Sequence, residues 1–75
     1  MRIERVPLPG IGTRIRFATA TGRWVGVIQH ADGHRELLLY APNDSDTVQT
    51  SVRLTEQEAH ELSEILFPHH NGSDG

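Results

Sequence analysis

Five histidines and ten carboxylates are the residues of this chain whose types and spacing could do chemistry. His30 and His34 flank an Asp32-Gly33 dipeptide, and their chemistry depends on the loop between them. A two-residue Asp32-Gly33 loop projects them from opposite faces, sets His30 across from Arg35 and prevents them from sharing a metal ion. A three-residue Ala31-Asp32-Gly33 loop stands them side by side, as a zinc site would require. The two-residue turn is the reading adopted, and no metal is expected. His60 lies four residues from both Glu56 and Glu64, on what reads as a solvated helix face. His69 and His70 fall in a polar terminal stretch, too loosely held for a specific site. Protonating all five imidazoles would carry the formal charge from −3 to +2, a change suited to a switch that turns off in acid.

Other catalytic chemistry is thinly represented. Gly10-Ile11-Gly12 lacks a third glycine and precedes a strand rather than opening a helix, so it does not read as a phosphate loop. Glu56, Glu58, Glu61 and Glu64 are distributed around a helix, and Ser45, Ser51 and Ser63 have no partner constellation. No catalytic residue, enzyme activity or cofactor is expected. The absence of cysteine leaves neither a disulfide nor a thiolate and suits a reducing compartment.

The elements that would position these residues follow from turn chemistry. Residues 2–8 read as an extended segment confined to a sheet edge by Pro7 and Pro9. Strands over about 14–20, 23–31 and 34–41 are separated by Thr21-Gly22 and Asp32-Gly33, two hairpin signals in succession. Residues 42–47 read as a surface loop or the cap of a short helical turn, and 48–54 as either that turn or a strand. Thr55-Glu56-Gln57-Glu58 fits a capping box, opening a helix that runs to about Phe67 before Pro68. The expected class is α+β: a small antiparallel meander of three to five strands, packed on one face by a C-terminal helix. One domain covers residues 1–68 and a flexible tail covers 69–75.

Two-residue turns would pair Thr19 with Trp24, Phe17 with Gly26, Ile15 with Ile28, Ile28 with Leu37 and Gly26 with Leu39. The core face would then hold Ile15, Phe17, Trp24, Ile28, Leu37 and Leu39, with the Phe17 ring over Gly26. A helical stripe of Ala59, Leu62, Ile65 and Leu66 would cover it. The opposite face would carry Val25, Val27, Leu38 and Tyr40 within a polar rim that includes Arg14 and Arg16. One helix cannot cover both faces. Either another segment of the chain folds over the second, or it meets another protein, with Arg14, Arg16, Val25, Val27, Leu38 and Tyr40 as the interface.

The charge is unevenly spread. Residues 1–40 carry six arginines against three acids, and residues 41–75 carry Arg53 against seven. All seven basic residues are arginine, which reflects genomic composition as readily as a demand for carboxylate or phosphate binding. Nucleic-acid binding is not expected, because Phe17 and Trp24 are taken by the core and only Tyr40 and Phe67 remain to stack. Met1-Arg2-Ile3-Glu4, followed by prolines, is not a signal peptide, and the longest apolar run, Leu37 to Ala41, is too short to span a bilayer. A membrane role would be peripheral. A chain of 75 residues is near the size at which one core barely suffices, so self-association or docking on a partner is expected.

Several motifs recur in one order: Pro7 to Gly12 (PLPGIG), Thr21-Gly22-Arg23, the apolar strand ending in His30, Asp32-Gly33-x-Arg35-Glu36-Leu37, and Ser51-Val52-x-Leu54-Thr55-x-x-Glu58-Ala59. This order resembles the N-terminal domain of the KhtT-like regulatory subunits of bacterial potassium/proton antiporters, over about residues 3 to 67. The resemblance implies a non-catalytic regulatory domain, cytoplasmic and peripheral to the inner face of the cell membrane. Its partner would be a membrane cation/proton antiporter, whose states it must bind unequally to regulate. It also implies a separate C-terminal domain of the potassium-channel-regulator type (TrkA-C/RCK_C), where cyclic di-AMP binds in members that respond to it. That domain lies beyond the matched residues, so no nucleotide site carries over. The alternative reading is a homodimeric small-ligand or protein-interaction module unrelated to transport.

Overall fold

A computed structural model describes residues 2–68. Strands β1 (Ile3–Leu8), β2 (Gly12–Ala18), β3 (Trp24–His30), β4 (Arg35–Ala41) and β5 (Asp44–Leu54) form one antiparallel sheet in chain order, followed by helix α1 (Glu56–Leu66). The α+β meander with a C-terminal helix is the architecture expected from the turn pattern. Residues 48–54 are strand, and β5 begins directly after a turn at Pro42-Asn43. The expected tail, 69–75, lies outside the described residues.

The two central hairpins correct the expected register. Both loops hold three residues: Thr19 N–H donates to Arg23 O and Gly22 N–H to Thr19 O, and His30 N–H donates to His34 O and Gly33 N–H to His30 O. Each is a tight turn closed by a glycine with positive φ, 89° at Gly22 and 99° at Gly33. A two-residue turn of the type I′ kind would have forced Thr21 to positive φ, which a β-branched residue resists. The consequence is a one-residue slip at each turn, with Ile15 opposite Val27, Phe17 opposite Val25, Val27 opposite Leu37 and Val25 opposite Leu39. The two slips cancel between β2 and β4 but turn β3 over.

Val25 and Val27 therefore join Ile15, Phe17, Leu37 and Leu39 on the helix side, whereas Trp24, Gly26 and Ile28 lie on the far side with Arg14, Arg16, Leu38 and Tyr40. The best-buried side chains are on this far side, Leu38 at 4% and Tyr40 at 2% exposure. The Tyr40 ring, not Phe17, covers Gly26: a Cβ there would meet Tyr40 Cε1 at 3.2 Å and Arg16 Cβ at 3.1 Å. β5 supplies the closure, because its pairing with β4 slips between Leu39 and Tyr40 and again between Tyr40 and Ala41. Such irregularities bend a strand and sharpen its twist, and they curl the β4–β5 hairpin over the far side.

The capping box at α1 forms as expected. Thr55 Oγ1 accepts from Glu58 N–H at 3.1 Å and Glu58 Oε1 accepts from Thr55 N–H at 2.9 Å, a cap ordinarily worth about 1 kcal/mol. The helix lies closest to β5. Ala59 and Leu62 are half-buried against the sheet, but no helical residue is fully buried and Ile65 points to solvent.

Candidate interaction surfaces

Arg16 organises the far side. It sits centrally in β2, facing Gly26, where no side chain from β3 competes for space. Its Nε donates to Glu4 Oε1 in β1 at 2.9 Å, and its Nη1 donates to the Ser45 carbonyl in β5 at 2.6 Å. The guanidinium carbon lies 4.6 Å from the Trp24 ring centre and 5.2 Å from that of Tyr40. The hydrogen bond to Glu4 raises the Arg16 pKa against the opposing effect of desolvation, so the group is a fixed cation. Arg23 repeats the device at the rim, with Nη2 donating to the Tyr40 carbonyl at 3.1 Å and to Gln49 Oε1 at 3.2 Å. These contacts join all five strands and pin the β4–β5 hairpin over Tyr40. The far side is thus covered by the chain itself, through β5.

The six residues expected to share an interface fall into two groups. Arg14, Arg16, Leu38 and Tyr40 remain together on the far side, where Leu38 and Tyr40 are core. Val25 and Val27 stand on the helix side, half-buried in the wall of a cleft between α1 and the sheet. The cleft holds about 340 Å³ and is almost wholly apolar, with Phe17, Val25, Val27 and Leu37 below and Leu62 and Leu66 above. Around it, Ile3, Leu39 and Val52 stay 39–55% exposed, and Ile65 and Leu66 more than 70%. Among the described residues, the helix side thus combines an apolar cleft with exposed apolar side chains around it. Sequence reasoning missed it because the flipped β3 assignment moved two valines to the wrong side. The available signal was Thr21, whose branching argues for the longer loop.

His30 and His34 take the arrangement of the three-residue loop, each beside a carboxylate. His30 Nε2 lies 3.1 Å from Glu36 Oε1, and His34 Nδ1 lies 3.2 Å from Asp32 Oδ1. Asp32 also accepts the His34 backbone N–H at 3.0 Å, which is the main reason its carboxyl pKa lies below the usual range, and it faces Arg53 at 3.7 Å. Among the described residues, no group of three candidate ligands converges. His60 lies exposed, 3.8 Å from Glu64. Of the serines, Ser45 lends its carbonyl to Arg16, and the Ser63 hydroxyl donates to the His60 carbonyl.

Comparison with known proteins places this geometry. Residues 1–70 match the family model for the N-terminal domain of the K(+)/H(+) antiporter subunit KhtT. The chain is 36% identical over 66 residues to the uncharacterized protein YrvC of Bacillus subtilis (strain 168) and 32% identical over 66 residues to the K(+)/H(+) antiporter subunit KhtT of the same organism. It is 34% identical over 67 residues to the ammonium/H(+) antiporter subunit AmhM of Alkalihalophilus pseudofirmus. These alignments take in 88–89% of this chain but 40% of each relative. The chain belongs to the KhtT N-terminal domain family, and it spans about two-fifths of the length of the curated relatives it matches.

Proposed function

We infer that this domain is a non-catalytic regulatory part of a cation/proton antiporter subunit and that it acts by docking on the membrane transporter. The family match carries the reading, supported by two relatives whose names make them antiporter subunits, one for potassium and one for ammonium. The relatives differ in the named cation, so the ion is left unassigned. The position that goes with this reading is peripheral, at the cytoplasmic face of the membrane; no helix among the described residues is long and apolar enough to cross it. Regulation requires that the domain bind one state of the transporter better than another.

The docking surface assigned here is the helix side. Val25, Val27 and Leu66 contribute to it through the cleft lining, Ile65 stands exposed beside it, and Arg16, Leu38 and Tyr40 support it from beneath by fixing the sheet. An apolar patch bordered by the acidic helix face and by arginine has the composition of an interaction site. A second reading, small-ligand binding, draws on the cleft volume of about 340 Å³, which lies in the range of small-molecule sites.

Capture of a cation/proton antiporter from detergent-solubilised native membranes tests the first reading. Wild-type protein is expected to retain the transporter, and an Ile65→Glu, Leu66→Glu variant to lose it, because both side chains are exposed and their replacement leaves the fold intact. Capture by both would remove the helix side from the interface. Capture by neither, using a protein that includes the C-terminal part found in the relatives, would refute the antiporter role.

A further inference from the structure

The two edges of the sheet are protected to different degrees. β1 is six residues long, contains Pro7, which has no N–H to offer, and carries Glu4 and Arg5. Short length, proline and charge are the devices that keep an edge from pairing with another chain. β5 is eleven residues long and has no proline or lysine, and every residue from Asp46 to Arg53 is exposed. Among the described residues its only strand neighbour is β4, so along its outer edge it has no second strand to pair with. The irregular pairing that bends β5 lies on the Asp44 side of Thr50. From Thr50 to Leu54 the strand pairs residue by residue with β4 and is regular.

We propose that this regular stretch of β5 pairs with the same stretch of a second copy of the chain, antiparallel about a two-fold axis at Val52, to give a continuous ten-stranded sheet. The register is self-complementary. Val52, half-exposed on the helix side, meets Val52 of the second copy, Ser51 faces Arg53, and Thr50 faces Leu54. No like charges stand directly opposite, and an apolar pair occupies the centre, where cross-strand contacts stabilise most. Thr50, Val52 and Leu54 lie on the helix side in both copies, so both helices end on the same side of the joined sheet.

The alternative of β5 pairing with β1 of a second copy is disfavoured on two grounds. Pro7 removes a donor from the ladder, and a head-to-tail contact leaves a free edge at each end and grows into filaments, whereas the two-fold contact closes. A domain this small, in which Leu38 and Tyr40 are the buried large hydrophobic side chains among the described residues, also has much to gain from the added burial.

Sedimentation equilibrium on the purified chain, without any antiporter, reads the proposal directly and independently of the transport role. Wild type is expected to be dimeric at micromolar concentration. Val52→Lys, which sets two ammonium groups face to face, should weaken the dimer at least tenfold while leaving the circular dichroism spectrum unchanged. The chain has no cysteine, so Val52→Cys should form a disulfide-linked dimer on mild oxidation far faster than Gln57→Cys, an exposed helical control. A wild-type monomer across the range would overturn the proposal. So would a dimer indifferent to Val52→Lys, or equal cross-linking rates for the two cysteine variants.

Discussion

Replacing Arg16 with methionine separates a keystone from a surface charge. Methionine keeps the apolar stem and rough volume of the side chain but removes the guanidinium. The change deletes a charge-assisted hydrogen bond to the Ser45 carbonyl at 2.6 Å, ordinarily worth about 1.5–3 kcal/mol. It deletes the ion pair with Glu4, whose side chain is 37% exposed, so that solvent screening limits this contribution to about 0.5 kcal/mol. It also removes a cation from two aromatic faces at 4.6 and 5.2 Å, about 0.5–1 kcal/mol each at a partly desolvated site. The terms overlap and are not additive, so about 3 kcal/mol is the expected loss. A domain of this size has only about 3–10 kcal/mol of stability in total, so the variant should be marginally folded at 25 °C. Urea denaturation at one fixed protein concentration, followed by the fluorescence of Trp24, the single tryptophan, gives the difference. Arg16→Lys should recover about half of the loss, because the charge returns without the planar fork. A double-mutant cycle with Glu4→Gln should show a coupling of about 0.5 kcal/mol. A loss below about 0.5 kcal/mol for Arg16→Met would refute the view that this residue closes the sheet.

Gly26→Ala should cost about 1–3 kcal/mol, because the added methyl lies 3.1–3.3 Å from Arg16 Cβ, Tyr40 Cε1 and the Ile15 carbonyl; an unchanged urea midpoint would show that the ring can move aside freely. Asp32 and Asp44 both titrate below the ordinary carboxylate range, the first mainly through the His34 backbone N–H and the second mainly through the Thr47 hydroxyl. Their folded-state pKa values are depressed, so the stability they contribute is fully present above the unfolded value of about 4 and is lost as pH falls through the folded values. An Asp32→Ala, Asp44→Ala variant should therefore show a flatter stability profile below about pH 4 than wild type, measured by thermal melts; parallel profiles would rule out these two groups.

Elements and family were readable in the chain itself because local chemistry settles them. Gly22 and Gly33 punctuate alternating apolar runs, and the Thr55 to Glu58 capping box marks a helix start through hydrogen bonds made within four residues. Alternation along β2 and along β4 grouped Arg14 with Arg16 and Leu38 with Tyr40, and the two pairs fell on one face in the expected register only because its two one-residue errors cancel between β2 and β4. The orientation of β3 was not, since it rests on whether a turn holds two residues or three, and both lengths place a glycine at a bend. Strand identity for residues 48–54 also escaped local reasoning, because Val48 to Leu54 gains its conformation from pairing with β4. Tertiary structure alone decided that β5 curls over Tyr40, that Arg16 reaches a carbonyl 29 positions away, and that the apolar surface left open lies beside the helix. Each depends on groups far apart in sequence meeting once the sheet has twisted, a relation that alternation along a single strand does not encode.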